Sequence, residues 1–163
     1  MKEEMSDFLK QAYKSGRIID YDDFCKTPQA KKYALNEEEV EYYTELSKRK
    51  KKYKVGDIVY VEGYKYKNGE SGKRHSFVII EEGQAIAIDY FGFLISSKIE
   101  KSNFPYNEKI NKNITNNLYR DSIVKCDDLI VISEKDIKFK IGEVTEKELK
   151  KFKETYMKYL EEI

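Results

Sequence analysis

Cysteine, histidine and long apolar runs are scarce in this chain, and each shortage removes a class of function. Its two cysteines, Cys25 and Cys126, stand far apart, and the single histidine, His75, completes no usual zinc-ligand spacing with them. No metal and no cofactor is therefore expected. Without an apolar run near 18 residues, or an opening that reads as a secretory leader, the expected setting is the reducing cytoplasm, with no membrane partner. Net charge is scarce too. A formal +1 argues against a surface that traps nucleic acid everywhere, so any phosphate recognition must come from a local cluster.

What the chain does have is 163 residues, 40% apolar and 37% charged, enough for one domain with an appendage and a sizeable core. The charges are segregated. Asp20, Asp22 and Asp23, followed by Glu37, Glu38, Glu39 and Glu41, make the first third acidic. A basic run through Lys48, Arg49, Lys50, Lys51, Lys52 and Lys54 then reverses the sign. Such a run suits a solvated linker, and equally a contact with an RNA backbone or an acidic partner.

Hydrophobic periodicity divides the chain at the same place. Residues 1–52 are expected to form a helical extension: Met5, Phe8, Leu9, Ala12 and Tyr13 recur at helical spacing, and Asn36 with Glu39 offers a capping box for a second helix. From Tyr53 the period becomes two. Strands are expected over Ile58–Tyr64, His75–Glu81, Ala85–Ile88, Leu94–Ser97, Ser122–Asp127 and Leu129–Ile132. Glu82-Gly83-Gln84, Lys67-Asn68-Gly69 and the asparagine-rich stretch from Asn107 to Asn117 read as turns or loops. Ser133–Ile137 reads as one helical turn, and Thr145 with Glu148 opens a last helix. The expected fold class is α+β, mainly β: a small, sharply bent antiparallel barrel over 53–163, a C-terminal helix, and the helical extension over 1–52 with its basic linker at 48–54.

The chemistry points to Gly72-Lys73-Arg74-His75-Ser76, where a glycine-rich loop opens on an apolar strand. Cleaving RNA without a metal requires deprotonating a 2′-hydroxyl, neutralising charge on the phosphate and protonating the leaving oxygen. The planar fork of an arginine fits the second task, and an imidazole that titrates near neutrality fits the first or third. Consecutive strand residues point to opposite faces, however, so a regular strand does not bring Arg74 and His75 to one phosphate. A surface arginine and a structural histidine account for the same pair.

Four segments then fall in a familiar order. Val55-Gly56-Asp57-Ile58-Val59-Tyr60-Val61 with Gly72-Lys73-Arg74-His75-Ser76-Phe77-Val78-Ile79 comes first, and Ile95-Ser96-Ser97-Lys98-Ile99-Glu100-Lys101 through Pro105 second. Arg120-Asp121-Ser122-Ile123-Val124 through Leu129 follows, and Ile132 to Ile137 leads on to Ile141-Gly142-Glu143-Val144. Over residues 53–162 this resembles the MazF/PemK (Kid) toxins. The resemblance implies an SH3-like barrel of the MazF/PemK/CcdB kind and a metal-independent endoribonuclease that cuts single-stranded mRNA. It also implies restraint by an antitoxin and assembly as a homodimer.

The family's arginine falls on Arg74 and its threonine on Ser96. With His75 these form the expected catalytic set, and Lys73, Ser97, Tyr64 and Tyr66 are expected to bind substrate. Three positions depart from the pattern: His75 stands where the family usually has proline, Asp128 replaces the common glutamine, and Ile130-Val131 occupy the place of an RNA-contacting arginine. They leave open an alternative, a MazF-fold module that binds nucleic acid or protein and cleaves weakly or not at all.

Overall fold

A computed structural model describes residues 51–163 apart from 67–68 and 86–87, together with Glu38. Apart from Glu38, the expected helices of the first 50 residues lie outside the described residues.

Alternating apolar side chains build a seven-stranded antiparallel sheet in the order β4-β5-β3-β2-β1-β7, with β6 also paired to β3. The strands are β1 (Asp57–Glu62), β2 (Arg74–Ala85), β3 (Ile88–Ser96), β4 (Asn107–Ile110), β5 (Ser122–Lys125), β6 (Ile130–Ile132) and β7 (Ile137–Glu143). Strand β3 is the hub. One edge pairs with β2, while the other is divided between β6 at Tyr90–Gly92 and β5 at Ile95–Ser96. Register shifts in the β1–β7 and β2–β3 ladders mark where the sheet bends.

The period of two sends side chains to two cores. Ile58, Val78, Ile80, Phe93, Ile95 and Val124 meet one face, where Phe152 and Tyr156 of the helix α1 (Glu146–Glu162) pack on them. Burying an aromatic or aliphatic side chain of this size contributes roughly 1.5–3 kcal/mol. Val59, Val61, Phe77, Ile79 and Leu94 form the opposite face with Tyr53, Tyr64 and Ile132. Helix α1 starts as its capping box predicts: Thr145 Oγ1 accepts from the Glu148 N–H at 3.1 Å, and Glu148 Oε1 accepts from the Thr145 N–H at 2.9 Å.

The sheet's outer strands are joined by a loop instead of a ladder. In the β4–β5 connection, Asn113 and Asn116 exchange N–H···Oδ1 bonds of 2.7 and 2.9 Å, and the buried Asn116 also donates to Asn111 O at 2.8 Å. That loop reaches β7 through Glu143 N–H to Thr115 O at 3.1 Å and Asn117 Nδ2 to Ile141 O at 3.1 Å. Gly142 allows the approach, since a Cβ there would lie 2.3 Å from Asn116 O.

Several expected boundaries move. Ala85–Ile88 and Leu94–Ser97 are not separate strands: Ala85 ends β2, and Ile88 opens the nine residues of β3. Glu82 and Gly83 lie within β2 beside a register shift and do not form its turn. Part of the asparagine-rich stretch is strand β4, and Ile137–Glu143 is strand β7 where only a lead into the helix was expected. Both are short or charge-rich edge segments whose pairing comes from neighbours distant in sequence. The loop after β1 is a paired hairpin extension, with Gly72 N–H to Tyr64 O at 2.9 Å, Tyr66 N–H to Glu70 O at 2.9 Å and a bridge between Lys65 and Ser71.

The described part of the basic run, residues 51–54, is engaged in structure. Lys51 Nζ donates to Asp89 O at 2.9 Å and lies 3.4 Å from Asp89 Oδ1, while Asp89 Oδ2 accepts from the Glu134 N–H at 2.7 Å. The Lys52 N–H donates to Glu134 Oε1 at 2.8 Å, and the Tyr53 N–H donates to the buried Tyr90 hydroxyl at 3.0 Å. Lys54 pairs with Glu143 at 3.1 Å.

Candidate active site

Strands β2, β3 and β5 end together, and their register decides which side chains share a face. Ser76 pairs with Ile95, so one step further along the ladder sets His75 opposite Ser96 and Arg74 opposite Ser97. On the other edge Ser96 pairs with Ile123, and Lys125 lies two residues beyond Ile123 on the same face. Strand β4 adds Lys109, which pairs with Ile123. His75, Ser96, Lys125 and Lys109 therefore share the face that α1 leaves uncovered, with His75 and Ser96 one alternation beyond Phe77 and Leu94 and Lys125 level with Leu94.

His75 is partly buried, with its ring 6.4 Å from that of Phe77. Burial holds its pKa below the ordinary imidazole value, and the nearby charges of Lys125 and Lys98 push it in the same direction; backbone hydrogen bonds at Ser76 and Ile95 oppose them. Nδ1 accepts from the Ser76 N–H at 3.1 Å, which places the proton of the neutral ring on Nε2. In this state His75 is held to the backbone of β2 and β3, and it acts as a base only if one of those bonds is released. Ser96 is buried, and its Oγ accepts from the Lys98 N–H at 3.2 Å, which turns the chain sharply after β3.

Arg74 is exposed at the first position of β2, and no carboxylate of the described residues lies within ion-pair distance of it. By register its side chain leaves from the face opposite Ser96. A regular strand thus sets the two expected catalytic side chains on opposite faces of the sheet. Lys73 and Ser97 are exposed beside it.

Tyr64 corrects an expectation. It is 4% exposed, packs edge-on against Phe77 at 4.8 Å and lies over Gly72, where a Cβ would come within 2.2 Å of its ring. A base has no room to stack there. Of the tyrosine pair only Tyr66, 36% exposed and joined to Tyr64 by a 3.2 Å contact between hydroxyls, presents a ring to solvent.

Lys98 and Lys125 are the residues that sequence reasoning passed over. The signal for Lys125 is a lone basic residue closing the otherwise apolar strand Ser122–Lys125. Together with His75 and Ser96 these lysines place positive charge beside an imidazole and a hydroxyl. Among the described residues no group of three or more histidine, cysteine, aspartate or glutamate side chains could hold a metal ion. Cys126 is buried, which pushes its thiol pKa far up and leaves it unreactive.

The model of PemK-like, MazF-like toxins of type II toxin–antitoxin systems matches residues 54–160. The chain belongs to this family. No curated protein matches it. The family assignment explains the order of motifs around the site. Gly56, at φ +96°, makes the turn into β1, and Asp57 fixes that turn by accepting from the Lys54 N–H at 3.1 Å. The segment from Ser96 carries the chain from β3 toward β4, and Ser122–Lys125 supplies the strand beside Ser96. The seven strands and C-terminal helix are the fold expected of this family.

Proposed function

We propose that this chain is a toxin that cleaves single-stranded mRNA as a metal-independent endoribonuclease, working in the cytoplasm as a homodimer under the control of an antitoxin. The reading is supported by family membership together with one observation, the convergence of His75, Ser96 and Lys125 on one face at the end of β3. Type II toxins are defined by an antitoxin partner, and no helix of the described residues is long and apolar enough to cross a membrane.

In this mechanism Arg74 swings around the strand end and neutralises the non-bridging oxygens of the scissile phosphate. Ser96 donates its hydroxyl to the phosphate. Lys125 and Lys98 hold the neighbouring backbone by charge. The neutral His75 donates from Nε2 in the resting state and exchanges a proton with the 2′-hydroxyl or the leaving oxygen once released. Tyr66 and the exposed Phe104 offer rings for bases, while Lys73 and Ser97 line the approach. The toxin domain is taken as 53–163, with Lys51 and Lys52 as its joint to a separate extension over 1–52.

The test is incubation of the purified chain with single-stranded RNA in EDTA, with fragments analysed for a cyclic phosphate end. Discrete fragments that disappear with Arg74→Ala support the proposal, and intact RNA overturns it. A second reading, a binding module with weak cleavage, is favoured by the backbone bonds at His75 and by the separate faces of Arg74 and Ser96. It predicts RNA binding, no fragments and harmless overexpression.

A further inference from the structure

Two aromatic rings lie outside both cores and against each other. Tyr60 of β1 and Phe139 of β7 are cross-strand partners, and their rings stack with centroids 5.1 Å apart and planes 14° from parallel. The other near-parallel ring pair among the described residues, Tyr156 with Tyr159, is buried on α1. Phe139 by contrast is 53% exposed. Tyr60 covers one face of its ring, and β7 is the last strand on that side of the sheet, so no further strand of the described sheet covers the other. An open ring face steadied by a second ring suits the stacking of an unpaired base.

Position links this ring to Arg74. Tyr60 pairs with Ser76, and Arg74 lies two residues beyond Ser76 on the same face, a diagonal neighbour about 7–8 Å from Tyr60. Phe139 also borders a cleft of about 660 Å³ with Lys52, Lys54, Lys138 and Lys140. Asp57 and Glu82 share that cleft, and Lys54, Lys138 and Lys140 have carboxylate partners at 2.7–3.9 Å. Charge alone therefore makes no phosphate trap here, and the ring must carry the recognition. We propose that the open face of Phe139 receives one base of a single-stranded nucleic acid whose backbone passes between Arg74 and this cleft. The site rests on the reading of the chain as a protein that handles single-stranded RNA, and it extends that reading from the cleaved bond to a neighbouring nucleotide. Because every base has a π-face, it adds affinity without choosing a sequence.

The chain contains no tryptophan, so Phe139→Trp places a single indole reporter at the site. The full chain is titrated with a 2′-deoxy decanucleotide, which this cleavage chemistry cannot cut. At saturation the indole of Phe139→Trp should lose more than about half its fluorescence, and that of Tyr119→Trp, at another exposed ring, less than about a tenth. Phe139→Leu, which keeps bulk but removes the ring, should bind about tenfold more weakly than wild type. That factor should hold from ~50 to ~300 mM salt while every affinity falls, since phosphate contacts are screened and stacking is not. Thermal melts confirm that the variants are folded. An unquenched Phe139→Trp at saturation overturns the proposal, as does wild-type affinity in Phe139→Leu or a loss that vanishes at the higher salt. If Phe139→Leu instead splits a dimer in sedimentation, the ring's partner is a second copy and the proposal falls. Failure of the wild type to bind removes the RNA reading itself, whereas binding without cleavage of ordinary RNA removes only the nuclease and leaves the stacking site.

Discussion

The two ends of β3 carry polar groups of opposite fate. At its start Asp89 is 6% exposed, and its carboxylate is met by the Lys51 ammonium and the Glu134 N–H. At its end Ser96 is equally buried, but the cations near it face solvent without a carboxylate of the described residues to pair with. A buried charge must be matched or the fold loses several kcal/mol, so the first end is a joint. An unmatched cationic rim costs little while it stays hydrated, and it is available to an anionic ligand. One strand therefore holds the chain together at one end and leaves solvated positive charge at the other.

Breaking the joint should have the largest effect. Asp89→Ala leaves the buried Lys51 ammonium with only the backbone carbonyl and the Glu134 N–H without its acceptor, and a loss of about 3–5 kcal/mol is expected, measured by chemical denaturation. Gly142→Ala comes next: pressing a Cβ into the Asn116 carbonyl should cost about 3 kcal/mol and separate the β4–β5 loop from β7, seen as faster amide exchange at Glu143.

Changes at the other end should spare stability and damage activity. Lys125→Ala is expected to slow RNA cleavage about 10–100-fold, with stability held within about 0.5 kcal/mol. If its melting temperature falls as far as that of Asp89→Ala, the contrast between the ends is wrong. The smallest effect concerns His75. Its folded pKa lies below the unfolded value near 6.5, so the folded state resists protonation. Stability is therefore full above that value and declines as pH drops through it toward the folded pKa. His75→Gln should flatten this decline below about pH 6.5 in thermal melts, and an unchanged slope would show that other groups set it.

Much of the barrel was legible because each strand has to bury alternate side chains. The apolar runs around Phe77–Ile80 and Ile123–Val124 and the capping box at Thr145 carry their reasons locally. Strands β4 and β7 do not, since Asn107–Ile110 and the lysine-rich Ile137–Glu143 become strands only by pairing with distant neighbours. At the site, Arg74, His75 and Ser96 were visible as residue types in a recognisable order. Their grouping was not, because a single residue of register decides whether Ser96 faces His75 or Arg74.

The sequence by itself determined the family, the change of period at Tyr53 and the candidate site residues, since these follow from side-chain chemistry and local spacing. Tertiary structure decided the partners: it buried Tyr64, brought Lys125 to Ser96, tied Lys51 to Asp89 and closed the outer strands through Asn116. Each of these depends on which strands lie side by side and in what register, and that is settled by how the whole set of apolar faces packs.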